Sequence, residues 1–146
     1  MLEVYFFVLG LLNSVALIFI FLIRKKRFEI IQRIGWTYLL FMVPSVYGIF
    51  LVFQEQKAVQ YSIFLGIFLA FLAIEWLLDY VLKIKFRENW KQNWKWIIPY
   101  LALYYAMNYG FVVMPWKNNI TWGLIMLCLF IIQIFTNLRS HPKMSN

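Results

Sequence analysis

Cysteine occurs once in the 146 residues, as Cys128, and histidine once, as His141. A single thiol closes no intramolecular disulfide, and thiolate metal clusters or histidine-ligated haem have too few ligands here. A Ser–His or Cys–His pair is likewise missing from every apolar run, which removes that form of nucleophilic catalysis. Six glycines and four prolines are too few for a collagenous or low-complexity chain. No Gly-rich phosphate loop occurs, so nothing points to nucleotide hydrolysis. Charge is scarce as well: Asp, Glu, Lys and Arg make up 14% of the chain, against about 25% in an ordinary soluble domain.

Apolar residues are abundant instead, at 64% with 21% aromatic, and the mean hydropathy is +0.72. A compact soluble domain of this size would leave roughly 30% of its unfolded surface in water. This composition would then expose large apolar patches, so the solvent it fits is lipid. Continuous apolar runs fall at 4–23, 34–53, 58–82, 97–116 and 118–138. Each approaches the roughly 20 helical residues that a bilayer takes. Their polarity does not alternate as barrel strands require. The expectation is an all-α integral membrane protein, a single transmembrane domain of five helices over residues 1–146.

The basic residues orient it. Of 14 Lys and Arg, 12 lie in three places: Arg24 to Arg33, Lys83 to Lys95, and Arg139 with Lys143. Only Lys57 and Lys117 lie elsewhere. Placing the three clusters inside puts the N-terminus outside and the C-terminus in the cytoplasm, consistently for all five spans. The expected location is a plasma membrane of prokaryotic type. A net charge of +8 could suggest nucleic acid in a soluble protein, but this alternation argues for membrane topology and against a nucleic-acid partner. Trp36, Trp90, Trp94 and Trp96 mark the inner boundary and Trp116 and Trp122 the outer one, as interface anchors do. Positive charge follows the first apolar run and Glu3 precedes it, so cleavage of that run as a signal peptide is not expected.

Residues 83–96 read KIKFRENWKQNWKW. Lys83, Arg87, Lys91 and Lys95 recur every four residues beside a stripe of Phe86, Trp90 and Trp94. Two readings remain open. Arg87, Trp90, Lys91, Trp94 and Lys95 form a lipid-interface helix on the anionic inner leaflet, or they extend the third span. The Leu-Gly pairs Leu9-Gly10 and Leu65-Gly66 are too weak a sign to establish an internal repeat.

Glu75 is the residue with most to say about function, because an ionisable group inside hydrocarbon is costly. With the third helix centred near Ala70, a rise of about 1.5 Å per residue puts Glu75 roughly 7 Å from the midplane and Asp79 about 13 Å away. Asp79 can pair with Lys83 one turn on. Glu75 has no basic residue one turn away, so its carboxyl must keep its proton or be compensated by a polar cavity or a cation. Tyr100, Tyr104 and Asn108 form a four-residue stripe on the fourth span. Gln133 reaches a similar depth on the fifth. These five residues are the expected substrate-binding set. Asn13, Ser14, Ser45 and Gly48 supply further polar or small groups suited to helix packing, and Pro44 marks a kink.

No catalytic residue, metal site or cofactor is expected, and an enzyme reading has little support. The first functional expectation is a small multi-pass protein that binds or transports a small cation or organic solute. Five helices barely enclose a pathway, so a homo-oligomer or a larger membrane partner is expected with it. The alternatives are an accessory or structural subunit of a larger membrane complex and a lipid-modifying enzyme.

Overall fold

The computed structural model describes residues 1–26, 28–83 and 92–140, without the side chains of 25, 26, 28, 29 and 31–34. The described residues are helical nearly throughout: α1 (Leu2–Lys26), α2 (Phe28–Leu39), α3 (Met42–Gln54), α4 (Val59–Trp76), α5 (Trp94–Asn118) and α6 (Ile120–Ser140). Five helical stretches among them are long and apolar enough to cross a membrane: Leu2–Arg24, Gly35–Gln54, Val59–Val81, Trp94–Asn118 and Ile120–Ser140. The chain is thus an integral membrane protein of the all-helical kind. Several helices run past the apolar runs at one or both ends, because helical hydrogen bonding does not stop where hydrophobicity does.

Side-chain placement inverts the pattern of a water-soluble helix. On α1 the buried face carries Leu2, Phe6, Leu9, Asn13, Ser14, Leu17 and Phe21, so its only mid-helix polar groups point inward. The opposite face exposes Val4, Val8, Leu12, Val15, Phe19 and Leu22. Without a water-facing surface to sort residues by polarity, polar groups go inward to find partners.

The second apolar stretch is broken between α2 and α3. Pro44 has no N–H to give the Leu40 carbonyl, and its ring crowds that carbonyl. The ladder tightens first, with Leu40 N–H donating to Thr37 O at 3.2 Å, and helical bonding resumes where Ser45 N–H meets Phe41 O at 3.1 Å. The Ser45 hydroxyl donates to the same oxygen at 2.7 Å, a back-bond that favours bending. The helical ladder is therefore interrupted one turn upstream of Pro44.

α3 ends in a Schellman turn: Lys57 N–H reaches Val52 O at 3.1 Å and Gln56 N–H reaches Phe53 O at 3.4 Å. Gln56 sits at φ 49°, the left-handed position usually filled by glycine. Gln56→Gly is expected to raise stability by about 1 kcal/mol, since glycine adopts this conformation without the Cβ penalty. Thermal unfolding in detergent checks it, and an unchanged or lower midpoint would refute it.

α4 continues as a π-helical turn, Leu77–Val81, closed by Leu82 N–H donating to Leu77 O at 2.8 Å. Lys83 follows at φ 50° and ends the helix. Asp79 lies within this wider turn, so the four residues from Asp79 to Lys83 do not follow ordinary α-helical spacing.

Contacts group the chain into two compact units. The first holds Met1, Glu3–Leu40 and the chain from Phe111 onward; the second holds Leu2 and Phe41–Gly110. In the first, α1 meets α6 where Phe7 stacks on Trp122 at 4.8 Å, and Phe6 packs on Phe111 at 5.1 Å. In the second, α3 lies along α4, and Phe64 of α4 packs directly on the α5 backbone at Gly110.

Candidate functional site

Four of the five expected site residues, Glu75, Tyr100, Tyr104 and Asn108, belong to the second unit. Glu75 lies in the last turn of α4, just before the π turn, and is half-buried. From α5, the Tyr100 hydroxyl donates to Glu75 Oε1 at 2.7 Å. The bond joins two helices, and it gives the carboxyl a donor where hydrocarbon would offer none.

The remaining geometry comes from rings. Phe71 is one turn before Glu75 on the same face of α4 and has no exposed surface. It packs on Tyr100 at 5.3 Å and on Tyr104 at 6.0 Å between centroids. Tyr104 in turn meets Tyr105 edge-on at 5.4 Å. Tyr100 is 8% exposed and Tyr104 2%, so the carboxyl sits at the margin of a buried aromatic cluster. Nothing in the composition of an almost wholly apolar run distinguishes Phe71. Its only sequence signal is its position four residues before Glu75.

Asn108 is buried, and its side-chain amide donates to the Tyr104 carbonyl of its own helix at 2.9 Å. It therefore ties itself to the α5 backbone one turn away from the Glu75 carboxyl's partner. Gln133 is fully buried on α6 and belongs to the first unit. Of the lipid-interface residues, Arg87, Trp90 and Lys91 lie outside the described residues; Trp94 and Lys95, in the first turn of α5, are exposed.

The first unit has a polar centre of its own. The Tyr38 hydroxyl donates to Asn13 Oδ1 at 2.6 Å, buried between α2 and α1. Asn13 is readable from the sequence as a packing residue, whereas nothing in the sequence singles out Tyr38. Beside Asn13, the buried Ser14 hydroxyl has no hydrogen-bond partner among the described residues. A buried hydroxyl without a partner costs about 1–3 kcal/mol, so Ser14→Ala is expected to raise the unfolding temperature. A fall would instead mean that the hydroxyl holds a partner such as water.

The fold and the Glu75 carboxyl define a class: a helical integral membrane protein with an acidic group in one of its membrane-length helices, hydrogen-bonded to a tyrosine of another. No family model matches the chain, and no curated protein or solved structure matches it either.

Proposed function

We propose that the protein binds a small cationic or polar solute inside the membrane at Glu75 and Tyr100 and carries it across. The observation behind this reading is the 2.7 Å hydrogen bond from Tyr100 to Glu75, which keeps a half-buried carboxyl pointed at α5 from a helix otherwise apolar through this depth. Intramembrane acids are costly enough that function is the default explanation for one. A bound cation would take over the role of the phenol or share it, and release would restore the Tyr100 bond.

The positive-inside distribution supports an external N-terminus and a cytoplasmic C-terminus in a cell plasma membrane, with Glu75 in the cytoplasmic half. The basic and aromatic residues of 83–96 suit contact with anionic lipid. With only five spans, a second copy or a larger membrane partner would complete the pathway.

The test is mass spectrometry of small molecules that co-purify with the full chain. A molecule retained by the wild type and absent from Glu75→Gln supports the proposal. A second reading rests on the same bond: it clips α4 to α5 and could serve only assembly in an accessory subunit. That reading requires Glu75→Gln to match the wild type in every respect.

A further inference from the structure

Polar groups near mid-depth turn inward on α1, and α5 departs from that pattern. Tyr105 and Tyr109 are 50% and 61% exposed. The membrane-length stretch Trp94–Asn118 is centred on Ala106. At about 1.5 Å per residue, Tyr105 lies roughly 1.5 Å and Tyr109 roughly 4.5 Å from that centre along the axis. Helical side chains lean toward the N-terminus of their helix, which aims the Tyr109 ring back toward the middle and away from the nearer end. Its phenol is thereby kept from reaching water at that end. The ring rests on Phe64 of α4 at 6.1 Å, and the hydroxyl hydrogen-bonds no other described residue. In hydrocarbon neither lipid tails nor water would answer that O–H.

The surroundings of the two phenols fit another helix. Ala102 is exposed and Ala106 half-buried, and both adjoin Tyr105 and Tyr109 at three- and four-residue spacing on one face. Small residues let a second backbone come close, and hydroxyls can then bond across the interface. On α3 the phenol of Tyr47 is exposed too, but Val43 and Phe50, its neighbours on that face, are also exposed. Their bulk holds a second backbone off.

A phenol both donates and accepts, so the α5 face complements itself. Two copies of one topology, related by a two-fold axis along the membrane normal, bring equal depths together. Tyr105 and Tyr109 of one copy then meet the same pair of the other, and the alanines leave room for the rings.

We propose that the face of α5 around Ala102, Tyr105, Ala106 and Tyr109 is the contact of a homodimer within the membrane. This gives the second copy a place on the chain. It rests on the reading of α5 as a membrane span and holds whether or not Glu75 takes a solute.

The test uses full-length protein carrying a donor or an acceptor dye at its C-terminus, reconstituted in phosphatidylcholine vesicles. Energy transfer is followed against the protein-to-lipid ratio, and a saturating monomer–dimer curve is expected. Tyr109→Phe keeps the ring against Phe64 and removes only the hydroxyl. It is expected to weaken association about threefold to tenfold, the range of an interhelical hydrogen bond. Ala102→Phe, at an exposed position, is expected to weaken it about tenfold or more by holding the backbones apart. Tyr47→Phe should leave the curve unchanged. Size exclusion and thermal unfolding show which variants are folded, and Tyr109→Phe keeps the test decisive if Ala102→Phe is not.

Association indifferent to Tyr109→Phe would overturn the proposal, as would association weakened equally by Tyr47→Phe. Energy transfer that only rises in proportion to protein density would overturn it as well, leaving this face to lipid or to a different protein. None of these results bears on the retention of a small molecule that tests Glu75.

Discussion

Glu75→Gln is expected to leave the unfolding temperature nearly unchanged while stripping the purified protein of its bound small molecule. Glu75→Leu is expected to lose the molecule and some stability together. The glutamine amide keeps the length of the side chain and an oxygen that can accept the Tyr100 hydrogen. The clip between α4 and α5 therefore survives, and what disappears is the ability to carry charge or exchange a proton. Leucine removes the acceptor that the hydroxyl of the buried Tyr100 uses on α4. Interhelical hydrogen bonds in membranes average about 0.6 kcal/mol with a maximum near 1.7, so the fall in stability is modest and the loss of binding large.

Tyr100→Phe completes the comparison. It deletes the donor and preserves the ring against Phe71, so it isolates the 2.7 Å bond. In a double-mutant cycle with Glu75→Leu, the two changes are expected to couple by about 0.6–1.7 kcal/mol. Zero coupling in stability would remove the bond as a structural element. Full retention of the bound molecule by Glu75→Gln would remove the site and favour the accessory reading.

Glu75 was conspicuous in the sequence because a carboxyl in an apolar run has almost no other explanation than function or pairing. Tyr100 and Tyr104 followed from their four-residue spacing and matching depth, and the structure brings Tyr100 onto Glu75 directly. Phe71 stayed hidden because both faces of a membrane helix are apolar. The contrast that marks a buried phenylalanine in a soluble protein is absent there, and neighbours alone distinguish the inward face. Asn108 shows the limit of collinearity: it shares the stripe, yet its amide has a nearer acceptor in the Tyr104 carbonyl. The interruption of the helix upstream of Pro44 was legible because a missing N–H has a fixed consequence four residues back. The π turn after Glu75 was not, since no residue type in Leu77–Val81 requires one extra residue per turn.

Gly123→Ala is expected to destabilise the protein by about 1–3 kcal/mol, the usual cost of overpacking. The reason lies in the connection between α5 and α6, which is a single residue. Asn119 N–H still bonds Pro115 O at 2.8 Å, while Asn119 already caps α6 by accepting the Thr121 N–H on its side-chain oxygen at 2.8 Å. Two helices that reverse over one residue must lie backbone to backbone at the turn. Gly123 is where they meet: an added Cβ would stand 2.7 Å from Trp116 Cα and 2.6 Å from its Cβ. A flexible side-chain tip could swing away from such a clash, but a backbone atom cannot, so relief requires α6 to shift from α5 along its first turns. Phe7, stacked on Trp122 at 4.8 Å, would be displaced with it. The measurement is thermal unfolding of the variant in detergent, with Gly66→Ala as the control, because a Cβ at Gly66 meets nothing within 4 Å. Gly66→Ala should be neutral or slightly stabilising through helix propensity. Equal midpoints for the two variants would show that the α5–α6 turn is looser than its geometry requires.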